Sequence, residues 1–406
     1  MPGPTLPEPR RPEPGVLEPG VLESGVAESG VPRSAAPEPG APQSVVPVSV
    51  LPGGRGLPER VDTARLVLRR PVPGDADAHA ALHTDPRLYA HAPWARLPDR
   101  AAAGARFADG ERDWTERGIG YWTVTDRSDG QILGVAGVRR AAAGRLNLYY
   151  RLFAEVHGRG LAREAARATV ASTAEWLPGR VVEAVILPGH GPSIRVAESA
   201  GLQHTGARRH QGDPAAAGES LVLTGPALAT HESVPEPRRE ELLDLWSRVT
   251  EAGGSVGFVP GASRAAIERA LAEHEEQMAA GRAVGVSLTD PGGVLLGWAW
   301  WVRVANPLLA HGRWLYRLMV DPDAQGRGLG AVLLAGAIGV ARRDGAELLQ
   351  LGYRSGSGLG RFYARAGFAE VGRIPGAIRV APGDDRDDVT MARRTDGRPM
   401  RPDARL

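Results

Sequence analysis

The sequence predicts a mixed α/β protein in which one fold is written twice. Each of two tandem domains is expected to be a mixed, mostly antiparallel twisted sheet flanked by helices, behind a disordered N-terminal arm. Three observations lead there. Short alternating runs and longer helical runs follow one another in the same order twice. Three landmarks recur at a spacing of about 165 residues: Leu133-Gly134 as Leu296-Gly297, Gly158-Arg159-Gly160-Leu161 as Gly326-Arg327-Gly328-Leu329, and Ala200-Gly201-Leu202 as Ala366-Gly367-Phe368. Residues 1–58, finally, are compositionally unlike everything after them.

That first segment is rich in Pro and repeats the phrase Glu-(Pro/Ser)-Gly-Val-x from Glu13, Glu18, Glu23 and Glu28. With almost no large apolar side chains it cannot bury enough surface to offset its chain entropy. It reads as disordered and partly polyproline-II-like. The first domain is placed at 59–229. Arg65-Leu66-Val67-Leu68-Arg69 alternates as a strand, and a helical region follows. Strands over 120–125 and 132–138 are joined by the hairpin signal Arg127-Ser128-Asp129-Gly130. Then come a strand over 146–152, a glycine loop, a helix over 162–176, a strand over 181–187, a helix over 192–200 and a last strand at Leu221-Val222-Leu223. Val234-Pro235-Glu236-Pro237 reads as the connector into the second domain, 230–395. There, strands over 284–289, 294–304 and 314–320 precede a glycine loop at 325–330, a helix over 331–343, a strand over 348–352, a helix over 359–366 and a closing strand over 389–392. Residues 396–406 are a tail.

Composition removes whole classes of chemistry. All 49 basic residues are Arg, and Cys is absent. Without Lys there is no pyridoxal Schiff base and no G-x-x-x-x-G-K-[ST] phosphate loop. Without Cys there is no thiol nucleophile, thiolate metal site or disulfide. The formal charge is +2, and pairs such as Arg139-Arg140, Arg208-Arg209 and Arg393-Arg394 are scattered, so no nucleic-acid partner is expected. No apolar run approaches the roughly 18–20 residues of a membrane span and no charged-then-apolar leader opens the chain. A cytoplasmic protein without a membrane partner is the expectation. No cluster has metal-ligand spacing, so no metal is expected.

His157-Gly158-Arg159-Gly160-Leu161-Ala162 and Gln325-Gly326-Arg327-Gly328-Leu329-Gly330 each lie between a strand and a helix. Glycines there let the backbone turn tightly, and unpaired amides at the helix start point at whatever lies above, which suits a pyrophosphate. Arg159 and Arg327 can add charge. A plain strand-to-helix turn is the alternative for either loop alone. A dinucleotide fold would want its G-x-G-x-x-G early in a parallel unit, whereas these loops come mid-domain after hairpin-like strands.

On these loops and their surroundings, both halves resemble the GNAT superfamily of acyl-CoA N-acyltransferases, over about residues 60–395. The first half is most similar to ribosomal-protein N-terminal (alanine/serine) acetyltransferases. The shared stretches are Thr63-Ala64-Arg65-Leu66-Val67-Leu68-Arg69-Arg70-Pro71, Gly120-Tyr121-Trp122-Thr123-Val124, Asn147-Leu148-Tyr149-Tyr150-Arg151-Leu152 and the segment from Pro192 to Leu202. The second half resembles small-amine acetyltransferases, including those of the tabtoxin-resistance type, through Leu318-Met319-Val320-Asp321-Pro322, Leu351-Gly352-Tyr353-Arg354 and Gly360-Arg361-Phe362-Tyr363-Ala364-Arg365-Ala366-Gly367-Phe368.

The resemblance implies acetyl-CoA as cosubstrate and direct attack on its thioester by a primary amine, on a small molecule or a protein N-terminus. The amine must arrive neutral through a base or a water wire, and an acid should protonate the leaving thiolate. It implies cofactor binding by Leu152, His157, Gly158, Arg159, Gly160, Leu161 and Ala162, and by Leu318, Met319, Val320, Gln325, Gly326, Arg327, Gly328, Leu329 and Gly330. Backbone groups around 151–153 and 318–320 would polarise the carbonyl. Tyr363 stands where the family presents a Tyr hydroxyl to the CoA sulfur, with Phe362 beside it to do the packing. Ser193 matches a Ser of the first branch that can hydrogen-bond the sulfur, but after Pro192 it also reads as an ordinary N-cap.

Departures from the family pattern bear on the base. Relatives usually carry Asn at His190 and a large aromatic, Gln or Arg at His157; either His can titrate near neutrality. Carboxylates common in relatives are replaced by Trp314 and Gly352. Asp384, Asp385, Asp387 and Asp388 form an acidic run that reads as a solvated loop or as an attractor for a cationic substrate. Asn306, His311 and Tyr316 are further polar candidates near the substrate side. Hence the alternative that one or both halves are non-catalytic acyl-CoA-binding or scaffold modules.

Overall fold

A computed structural model describes residues 56–209, 214, 218–398 and 400. The repeated phrases of the arm and the end of the tail lie outside the described residues. The arm's last residues do not behave as the sequence suggested. Leu57 is 5% exposed and donates its N–H to Gly118, and the Pro58 carbonyl accepts from the Trp122 indole, so the first domain begins at the last turn of the expected arm.

The first half opens with β1 (Arg60–Asp62) and β2 (Leu66–Arg69), whose Leu66 and Leu68 alternate into the core. Helices α1 (Ala76–Thr84) and α2 (Arg100–Arg117) follow; Asp99 caps α2 by accepting from Ala102, and left-handed Gly118 ends it. The hairpin of β3 (Tyr121–Asp126) and β4 (Ile132–Arg140) leads to β5 (Leu146–Leu152), α3 (Leu161–Trp176), β6 (Val182–Ile186), α4 (Gly191–Ser199), β7 (Gln203–Arg208) and β8 (Ser220–Thr224). The sheet order is β1-β2-β3-β4-β5-β6-β8-β7, parallel only between β5 and β6.

The second half repeats this with β9 (Ala227–His231), α5 (Glu236–Glu251), α6 (Arg264–Ala279), β10 (Ala283–Thr289), β11 (Leu295–Val302), β12 (Gly312–Val320), α7 (Leu329–Arg343), β13 (Leu348–Arg354), α8 (Leu359–Arg365), β14 (Ala369–Ala381) and β15 (Asp384–Arg394). Its order is β14-β15-β13-β12-β11-β10-β9, parallel only between β12 and β13.

Two boundaries move. β9 pairs antiparallel with β10, so the second sheet begins at Ala227 and the expected division at 229/230 falls inside a strand. The connector is half helix, because Pro237 sits in the first turn of α5, where its missing N–H costs nothing. The acidic run is not a loop either. It opens β15, and across the hairpin Arg373 pairs with Asp387 and Arg379 with Asp385, while Arg386 pairs with Asp384 on its own strand.

The halves pack through α3 and α7, which run side by side in the same direction. Near their starts Arg167 donates to the Gly326 carbonyl, and at their ends Glu175 meets Arg342. A Cβ on Gly339 would lie 2.2 Å from the Glu175 carbonyl oxygen, so glycine is what permits this approach. Both glycine loops therefore lie at the same end of the helix pair.

Candidate acetyl-transfer site

In each half the one parallel strand pair opens into a V. β5 pairs with β6 only at Leu146–Val182 and Asn147–Glu183, and β12 leaves β13 after Leu315–Leu351. The remaining length of β5 and β12 turns an unpaired backbone edge toward the gap. The halves differ in detail. β5 keeps an even register with β4, whereas β12 bulges where Arg317 and Leu318 oppose Ala299, with Arg317 at φ 50°.

Each glycine loop follows such a strand. Gly158 and Gly160 (φ 77° and 75°) and Gly326 and Gly328 (φ 81° and 80°) are left-handed, which fits glycine, and no side chain caps α3 or α7. The start of both helices thus offers amide donors and a positive dipole end to an anion. His157 Nε2 lies 2.9 Å from the Leu152 carbonyl, and Gln325 Nε2 donates to the Val320 carbonyl at 3.2 Å. In both halves the first loop residue ties the loop back to the end of the strand. His157 therefore acts as a tether through one ring nitrogen, and this was not legible from its pattern.

Around the first loop, Arg65 donates to the Arg159 carbonyl and pairs with Glu164, and an open depression of about 330 Å³ is lined by Arg65, Arg127, Arg159 and Leu161. The second loop is leaned upon by the first half. Arg167 spans the Gly326 and Ser199 carbonyls at 2.8 and 2.7 Å, and Gly201 approaches Leu329 so closely that a Cβ would lie 2.8 Å from its methyl.

Ser193 is the third residue of α4, not its cap; His190 holds that position. Its hydroxyl bonds no described residue, while its carbonyl accepts from the Tyr150 hydroxyl at 2.7 Å, bridging the V on the α3 face. Tyr363 is 7% exposed, set among Tyr353, Phe362 and Phe368, and burial pushes its hydroxyl pKa upward, so it stays protonated at neutral pH. Phe362 is the residue turned toward Gly330. Of the loop residues, Leu152, Leu161, Met319, Val320 and Leu329 are buried, whereas Arg159, Arg327 and His157 are exposed.

Side chains alternate along β5, so Leu148 and Leu152 face α3 while Asn147, Tyr149 and Arg151 face α1 and α2. Sequence reasoning did not find the group gathered there. His91, between α1 and α2, stacks on His190 with ring centroids 3.8 Å apart and planes 5° apart. Burial and the neighbouring ring hold His91 down at about 4, and burial with the Arg151 charge lowers His190, so both are neutral near pH 7. In the second half the matching face is lined by Trp246, His274, Trp300 and Tyr316. Asn306 caps a short turn through Leu308 N, and His311 lies before the start of β12, so neither is at the V, where Tyr316 is the first residue past the parting. Trp314 and Gly352 straddle the closed and open stretches of β13 pairing.

Two acetyltransferase (GNAT) domain families match the chain, one at residues 65–203 and one at 269–375. Among solved structures the chain is similar to an acetyltransferase from Agrobacterium tumefaciens, with 24% identity, 43% of this chain and 98% of that one covered, and a TM-score of 0.36. It is similar to a ribosomal-protein-alanine N-acetyltransferase from Brucella melitensis (20% identity, 41% and 99% covered, TM-score 0.35). A Salmonella typhimurium protein described as an acetyltransferase with its cofactor acetyl-CoA is also similar (19% identity, 44% and 99% covered, TM-score 0.35). No curated protein matches the chain. The chain carries two GNAT acetyltransferase domains in tandem. Acetyl-CoA is the cosubstrate of this family, and the residues present fit it: uncapped amides above left-handed glycines for the pyrophosphate, and an open V for the arm that carries the thioester.

Among the described residues no helix is long and apolar enough to cross a membrane.

Proposed function

We propose that the chain is an N-acetyltransferase that passes the acetyl group of acetyl-CoA directly to a primary amine, on a small molecule or a protein N-terminus. The observation that carries this is the twofold pairing of an uncapped glycine turn with a strand that has parted from its parallel neighbour. Acetyl-CoA, when bound, supplies the activated thioester. Loop amides over 158–162 and 326–330 hold the pyrophosphate, with Arg159 and Arg327 beside it. Leu152 and the stretch Leu318, Met319 and Val320 present the free strand edge that orients the carbonyl. Leu161, Ala162, Leu329 and Gly330 set the helix starts, while His157 and Gln325 keep each loop against its strand. Ser193 and Tyr363 are the groups that deliver a proton to the departing sulfur, Tyr363 because burial keeps its proton on.

Calorimetric titration of the full chain with acetyl-CoA, followed by CoA release with an amine panel, tests the reading. No binding at either loop would sink it. A second reading has a specific observation behind it: the second loop is braced by Arg167 and Gly201 of the first half. On that reading the second half is a non-catalytic acyl-CoA module. Tyr363→Phe that leaves turnover intact, together with Gly160→Glu that abolishes it, would select this alternative.

A further inference from the structure

The face of the first sheet onto which the V opens carries cations without counter-charges. The Arg151 guanidinium lies 3.6 Å from the Tyr89 ring centroid. Its Nε donates to the Tyr149 hydroxyl at 2.8 Å and its Nη1 to the Leu88 carbonyl at 2.7 Å. Arg106 of α2 sits 5.9 Å from the Tyr149 centroid and Arg151 5.7 Å from the same ring. Neither has a carboxylate within ion-pair reach among the described residues. The acidic groups nearby are already engaged: Glu183 by Arg145 and Arg208, Asp113 by Arg117 and Arg139, and Asp85 and Glu155 by Arg87. Three histidines report the imbalance. His83, His91 and His190 are each depressed, first by burial and further by the Arg151 charge.

One more observation belongs to the same place. The His91–His190 stack joins the segment before α2 to the start of α4, and no hydrogen bond between the rings locks it. Half-buried guanidinium groups without a counter-charge are stabilised when an anion joins them, and Arg151 keeps its Nη2 clear of its two hydrogen bonds for a carboxylate oxygen.

We propose that the acceptor of the first half is a primary amine carrying a carboxylate close to the nitrogen, the carboxylate being received by Arg151 and Arg106. The proposal rests on the acetyl-transfer reading above. The same guanidiniums favour the neutral amine over ammonium, which eases the demand for a strong base. As the N–C bond forms, the thioester C–S bond breaks; the amine nitrogen gives up its proton to solvent, and the sulfur takes a proton from the Ser193 hydroxyl, which solvent reprotonates.

The test is CoA release by the full chain on matched acceptors: alanine against alaninamide, and tripeptide amides with acidic against basic second residues. Amides hold the larger fraction of neutral amine, so intrinsic reactivity favours alaninamide, and a carboxylate preference reports the pocket. The expected result is at least a tenfold higher kcat/KM for the carboxylated member; preference in the amino-acid arm marks a small-molecule acceptor, and in the peptide arm alone a protein N-terminus. Arg151→Gln should raise KM for carboxylated acceptors about tenfold and leave the amides nearly unchanged. Arg106→Gln should act in the same direction and stands in if Arg151→Gln does not fold. Equal or better use of the amides, or variants that slow both members alike, overturns the proposal while leaving acetyl transfer standing. Failure to bind acetyl-CoA overturns both.

Discussion

Glu175 is the joint between the two halves, and its removal has a calculable cost. Its side chain, 11% exposed, accepts from Arg342 Nη1 and Arg393 Nη2, both at 3.0 Å. Glu175→Ala removes the carboxylate that two guanidiniums, 12% and 16% exposed, share. Removing one partner from a buried ion pair costs roughly 3–5 kcal/mol. Some support survives: Arg342 keeps the Glu175 carbonyl at 2.8 Å and lies over Trp176, and Arg393 keeps the Ala366 carbonyl. The lower end, about 3 kcal/mol, is therefore expected. Urea unfolding of the full chain, followed by tryptophan fluorescence, reads the shift, with Glu241→Ala as the exposed control, where about 0–1 kcal/mol is expected. Glu175→Ala with Arg342→Met should recover part of the loss, because one of the two like charges that shared the carboxylate is then gone. A Glu175→Ala midpoint no lower than that of the control would refute the reasoning.

Gly339→Ala should weaken the same interface by roughly 1–3 kcal/mol, since its methyl would meet the Glu175 carbonyl at 2.2 Å; the urea midpoint checks it. Tyr363→Phe should leave acetyl-CoA affinity in place and cut turnover by the second half roughly 100-fold or more, read as CoA release. Acid should destabilise the fold in a defined window. Burial depresses His79 to about 4 and His83 and His274 to about 3, against an ordinary 6.5, so the unfolded chain takes up protons that the folded chain refuses. Their stabilisation is present above pH 6.5 and drains as pH falls, down to about 4 for His79 and about 3 for His83 and His274, by up to about 1.4 kcal/mol per pH unit per histidine. His274→Phe should flatten that slope by about one histidine's share; a slope parallel to wild type would contradict it.

Most of the strand and helix order could be read because the second copy repeats the pattern of the first. What escaped did so for physical reasons. β14 contains Gly372, Pro375 and Gly376 and is almost wholly exposed, so no alternation marked it. The acidic run read as solvated because charges were seen along the chain, whereas the structure pairs Asp385 and Asp387 across a hairpin with Arg379 and Arg373. The glycine loops were legible because a left-handed turn demands particular residues at fixed spacing. The His91–His190 stack and the Arg151–Tyr89 contact were not, since they join segments separated by a helix and several strands, and no local pattern encodes such a meeting.

The two loops, alike in sequence, are not alike in surroundings. The first loop borders an open depression lined by arginines of its own half. The second has Arg167 on the Gly326 carbonyl and Gly201 against Leu329, both from the first half. Loosening α3 and α4 should therefore slacken the second loop.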